Sequence, residues 1–137
     1  MYRTIMVPVD LAHVDRLRKA LATAADLARH YGIPVCYVGV TAATPGSVAH
    51  NPEEFAVRLD AFARSEAASY GHTASAKACT SHDPSVDLDK ALMQAIRDTG
   101  ADLVVMASHV PGLPDHIFAS NAGWLASHAA VSVLVVR

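Results

Sequence analysis

A chain of 137 residues, 52% hydrophobic and 18% charged, is the size of one domain and can bury a core without disulfides or metals to staple it. Its formal charge of −2 offers no attraction to nucleic acid or to an anionic membrane surface. No apolar run approaches the ~18–20 residues needed to cross a bilayer, and a strand-like segment begins at once where a signal peptide would stand, so a cytoplasmic protein is expected.

Thr4 to Val9 (TIMVPV) is a short, nearly unbroken apolar run, which suits a strand covered on both faces, with Pro8 near its end because proline cannot donate to a ladder. From Ala12 the period changes. Leu17, Leu21, Ala24, Ala28 and Tyr31 step by four and three as one stripe of a helix, which Gly32 and Pro34 stop. Val35 to Val40 reads as a second strand, and Phe55, Leu59 and Phe62 as one face of a second helix ending near Gly71. Between them the loop from Thr41 to Pro52 is long for such a connection and reads as a lid or as disorder.

Thr73 to Thr80 (TASAKACT) reads as a third strand whose small residues suit a sheet edge. Asp83-Pro84-Ser85 opens a third helix carrying Leu88, Leu92, Ala95 and Ile96, closed by Gly100, and Leu103 to Ala107 is a fourth strand. Phe118, Ala122, Leu125 and Ala129 mark a fourth helix, and Val131 to Val136 a last strand. Five strands alternating with four helices imply a single doubly wound α/β domain with a parallel sheet, in which ligands sit at the carboxyl ends of the strands where strand order reverses.

Asp10 follows the first strand directly, so its carboxylate stands at that crevice, either to accept from a ribose hydroxyl or base amino group or to cap the helix that follows. Ser120 and Asn121 precede the body of the fourth helix, where free N–H groups either meet an anion or are capped by those side chains. No Lys or Arg occurs between Arg97 and Arg137, so a triphosphate there depends on backbone amides, His109, His116 or a bound Mg²⁺.

The eight histidines form no H-x-x-x-H pair and read as surface or pocket residues rather than metal ligands. Cys36 and Cys79, each inside a strand, read as buried free thiols. Ser108-His109 has no G-x-S-x-G elbow around it, so no catalytic nucleophile is expected and the protein reads as a binder rather than an enzyme. The apolar strand Val131 to Val136, if it lies at the sheet edge, is a template for pairing with a second copy.

Ile5-Met6-Val7-Pro8-Val9-Asp10, the run Asp102 to His109, A-S-H-x-P at Ala107 to Pro111, S-N-A at Ser120 to Ala122 and S-V-L-V-V-R at the end together resemble the universal stress protein family, most of all its small F and G types, over the whole chain. The resemblance implies an adenine nucleotide alpha hydrolase-like sheet in order 3-2-1-4-5 with helices on both faces. It also implies a homodimer through the last strand and ATP or AMP in the crevice, with Mg²⁺ if a polyphosphate binds. Carried onto this sequence, the implied nucleotide-binding positions are Pro8, Val9, Asp10, Val38, Gly39, Val40, Ala107, Ser108, His109, Val110, Ser120, Asn121 and Ala122.

The family's G-x2-G-x9-G-[ST] falls on Ala107, Val110, Ser120 and Asn121, so all three glycines are replaced. Branched Val110 disfavours positive φ, Pro111 pushes it further toward extended backbone, and Ser120 adds a Cβ where backbone meets phosphate. Near the third helix the family's G-x-P reads His82-Asp83-Pro84. The expectation is a stress-response protein that binds AMP or adenosine nearly as well as ATP. The rival readings are a nucleotide-free interaction module acting through its dimer surface or loop and, with least support, a slow ATPase.

Overall fold

The computed structural model describes residues 1–108 and 121–137. Five strands, β1 (Ile5–Pro8), β2 (Val35–Ala42), β3 (Ala74–Ser81), β4 (Leu103–Ala107) and β5 (Ser132–Val136), form one parallel sheet in the order β3-β2-β1-β4-β5. Four helices, α1 (Arg18–Tyr31), α2 (Pro52–Tyr70), α3 (Pro84–Thr99) and α4 (Asn121–His128), cover both faces.

The period-2 alternation of each strand decides which helices it meets. Ile5, Val7, Val35, Tyr37, Leu103 and Val105 point to one side, where Leu21, Ala24 and Ala28 of α1 and Leu59 and Ala63 of α2 bury them. Met6, Cys36, Val38, Val104 and Met106 point to the other, against Leu88, Leu92 and Ile96 of α3 and Leu125 of α4. Continuous apolar runs in β1 and β4 are therefore what a sheet buried on both faces needs.

The expected elements appear in the expected order, with shifted ends. The chain after β1 does not enter an α-helix at Ala12. It first makes a 3₁₀ turn, Leu11–Leu17, whose opening Asp10 caps and which is kinked at His13 (φ −136°, ψ 39°). The small-residue segment is indeed the edge strand β3, and β5 is the other edge. Of the fourth helix, Phe118 and Ser120 lie outside the described residues.

The long loop is anchored at its far end. Ala49 is buried with the α1/α2 core, Gly46 N–H donates to the Ala49 carbonyl at 3.0 Å, and Asn51 Oδ1 caps α2 by accepting from Glu54 N–H at 2.7 Å.

Cys36 is buried, but Cys79 is only partly so, because an edge strand covers one side less well. Burial pushes both thiols up, which keeps them inert. Asp102, just ahead of β4, accepts from the N–H groups of Arg3 and Thr4 at 3.0–3.1 Å and ties the chain start to the sheet. Burial pushes its carboxyl up, but those donors outweigh burial and hold it below the ordinary carboxylate range. Among the described residues no helix is long and apolar enough to cross a membrane.

Candidate functional site

β1 and β2 end side by side, and the chain leaves them in different directions, β1 into the 3₁₀ turn and β2 into the loop that leads to α2. The gap between these exits is a cavity of about 190 Å³. It is lined by residues 9–12 after β1, by the end of β2 from Val40 to Ala42, by loop residues 46–49 with Phe55 of α2, and by Pro84 at the start of α3. Asp10 is the one ionisable side chain among these lining residues, and they include no Lys, Arg or His.

Asp10 both caps and lines. Its Oδ1 accepts from Ala12 N–H at 3.0 Å and its Oδ2 lies 2.9 Å from His13 Nδ1. A carboxylate can only accept, so Nδ1 carries the proton of that bond and the ring is held in one orientation. The capping reading of Asp10 is thus realised, and Asp10 also lines the cavity.

The positions expected at the site fall into three groups. Val9, Asp10 and Val40 line the cavity. Pro8, Val38 and Gly39 lie behind it: Pro8 and Val38 are register partners, Val38 points into the α3/α4 core, and its carbonyl accepts from Val9 N–H at 2.8 Å. Gly39 backs the cavity wall, since a Cβ there would stand 2.7 Å from Phe55 Cζ. Ala107 and Ser108 end β4 outside the cavity, with Ser108 N–H donating to Val136 O at 2.8 Å. Ala122 is buried in the α3/α4 core and Asn121 opens α4. His109, Val110 and Ser120 lie outside the described residues.

Sequence reasoning missed His13, Phe55 and the loop wall. The D-x-x-H spacing of Asp10 and His13 is the available signal, because three residues across a capped turn leave the two side chains within reach of each other. Phe55 was read only as part of an apolar helix stripe, and it serves both the core and the cavity. No group of three or more His, Cys, Asp or Glu that could hold a metal occurs among the described residues.

The family model described as "Universal stress protein family" matches residues 1–137. The chain is 30% identical to universal stress protein G of Escherichia coli O157:H7 over 148 residues, covering 100% of both chains. Among solved structures it is similar to a universal stress protein from Archaeoglobus fulgidus, with a TM-score of 0.71 and 23% identity over 100% of both chains. It is also similar to the universal stress protein from that organism in complex with dAMP, with a TM-score of 0.68 and 23% identity over 99% of this chain and 98% of that one.

Proposed function

Because the chain belongs to the universal stress protein family, we propose that it is a stress-response protein that binds an adenine nucleoside or nucleotide in the cavity between β1 and β2. The observation that carries this reading is the cavity's lining, which among the described residues is one acidic residue with apolar or small polar ones and no Lys, Arg or His. A carboxylate accepts from a ribose hydroxyl or a ring amino group but repels a phosphate. A relative that holds dAMP supports the adenine part of the reading.

The cavity is smaller than the ~300–1,000 Å³ typical of sites that enclose a whole ligand, so it takes a ring and leaves ribose and phosphates toward solvent. Phosphates therefore add little affinity, and binding rather than turnover is the activity, with any Mg²⁺ serving a polyphosphate tail outside the cavity.

Thermal-shift series with adenosine, AMP, ADP and ATP, with and without Mg²⁺, test this. Saturation near 100 times Kd stabilises by about 2.7 kcal/mol for any ligand that binds only the folded state. Adenosine and AMP are expected to raise the melting temperature about as much as ATP. Asp10→Ala should abolish the ligand-induced shift, over and above the lower starting stability from its lost cap. Stabilisation by ATP alone would sink the reading, and no shift with any of the four would favour a nucleotide-free interaction module.

The same protein is proposed to be a homodimer through β5. Among the described residues this strand pairs only with β4, and it carries Val133, Leu134, Val135 and Val136 and leaves Leu134 38% exposed. Beside it lies a 280 Å³, mostly apolar hollow lined by Tyr2, Leu27, Leu103, Ser132, Val133 and Leu134. An open apolar edge of this kind is covered most simply by its own copy. Light scattering should give twice the chain mass, reverting to one in Leu134→Lys; a monomeric wild type at tens of micromolar would contradict it.

A further inference from the structure

Away from the cavity, polar side chains from α1, α2 and β2 meet inside the α1/α2 layer. Glu66 of α2 is only 3% exposed. Its Oε1 accepts from Arg18 Nη1 of α1 at 2.7 Å, while its Oε2 is buried with no hydrogen-bond partner. Tyr37 of β2 is fully buried, and its hydroxyl lies 2.9 Å from Nε2 of His72, the second residue beyond α2. The other ring nitrogen, His72 Nδ1, is buried and unpartnered.

A neutral imidazole tolerates this arrangement, because one nitrogen bonds to Tyr37 and only one group goes unmet. An imidazolium does not. It must donate from both nitrogens, and Nδ1 has no acceptor in place. Tyr37 of β2 is its hydrogen-bond partner, and the charged groups that act on it are Glu66 of α2 and Arg29 of α1. Burial holds His72 below its ordinary value of 6.5, Glu66 opposes that shift and Arg29 adds to it.

Two further features make this a latch. Arg29 Nη1 donates to the Tyr70 carbonyl, so the last turn of α2 is tied to α1 by both Arg18 and Arg29. A cavity of about 400 Å³ lined by Arg29, Gly71, His72 and Thr73 opens beside the imidazole, while Nδ1 itself stays buried.

We propose that His72, with Tyr37 and the Arg18–Glu66 pair, is a proton-sensitive latch: it seats the C-terminal end of α2 while neutral and releases that end when protonated. The latch stands apart from the nucleotide reading and needs no ligand. The sign follows from the depressed folded-state value. The unfolded chain binds the proton more readily, so the stabilisation is complete above about 6.5 and is lost as pH falls below it.

Hydrogen exchange on the full chain at pH 7.5 and 5.5, corrected for the intrinsic rate, reads the effect by element. The opening constant of the C-terminal half of α2 is expected to rise about three- to ten-fold on acidification, with α3 unchanged, since one proton can supply at most about ten-fold per pH unit. His72→Gln should remove the acid response. An NMR titration of the wild-type imidazole, which needs no variant to fold, should give a midpoint below 6.5 that coincides with the exchange change. Equal loosening of α2 and α3, an acid response that survives His72→Gln, or an imidazole that titrates at or above 6.5 would each overturn the latch.

Discussion

Replacing Gly39 with valine is expected to lower the melting temperature by roughly 5–10 °C, from an overpacking cost of ~1–3 kcal/mol in a domain of this size. β2 passes directly beneath α2 at this point. The first added carbon already stands 2.7 Å from Phe55 Cζ, 3.0 Å from Phe55 Cε1 and 3.3 Å from Leu59 Cδ2. Leu59 is fully buried and cannot retreat, so Phe55 must move, and the open space beside it is the cavity that it lines. Gly39→Val should therefore cost ligand binding as well as stability, with Gly39→Ala milder in both. Calorimetry of Gly39→Ala with and without Phe55→Leu isolates the cause: the shorter side chain should recover much of the loss. A double variant no better than the two losses summed would mean that the clash is not what the glycine avoids.

The second large effect is expected at Arg18. Arg18→Met keeps the aliphatic stem but leaves both Glu66 oxygens without a partner inside the protein. Breaking a fully buried pair costs ~3–5 kcal/mol, but Arg18 is half-exposed and water can partly replace it, so about 2 kcal/mol is expected, or roughly 6 °C. The double variant Arg18→Met/Glu66→Leu should recover most of that, because it removes the stranded charge rather than the attraction. Denaturation at pH 8, where His72 is neutral, keeps this measurement separate from the latch. An Arg18→Met protein as stable as wild type would place the pair among surface bridges of little worth.

The order of the elements was legible because each strand and helix carries its own period: TIMVPV and LVVMA cannot be helices at that length, and Leu17, Leu21, Ala24 and Ala28 cannot share one face of a strand. Gly71 and Gly100, both at positive φ, end α2 and α3 where the sequence puts them, since side chains disfavour that backbone. The site was legible only where it follows directly from a strand end, at Val9, Asp10 and Val40.

The remainder depends on distant meetings. Nothing beside Glu66 in the sequence marks it as buried, and its partner, Arg18, is 48 residues away. Tyr37 reads as an apolar strand residue, yet its hydroxyl finds His72 across 35 residues. Ala49 belongs to a segment with no period at all, and the loop becomes a wall through the apolar contacts it makes after the chain has turned back.

The placement of β1 at the centre of the sheet has a consequence for synthesis on the ribosome. β1 precedes its neighbour β2 by about thirty residues, but its other neighbour, β4, comes far later, and the Thr4 N–H meets its Asp102 acceptor across 98 residues. Until then the nascent β3-β2-β1 half presents Ile5 to Pro8 as a bare apolar edge, available to a chaperone or to a neighbouring chain on the same messenger. Completion of β4 closes that window, so slow translation between β3 and β4 lengthens the period in which the chain is most exposed to aggregation.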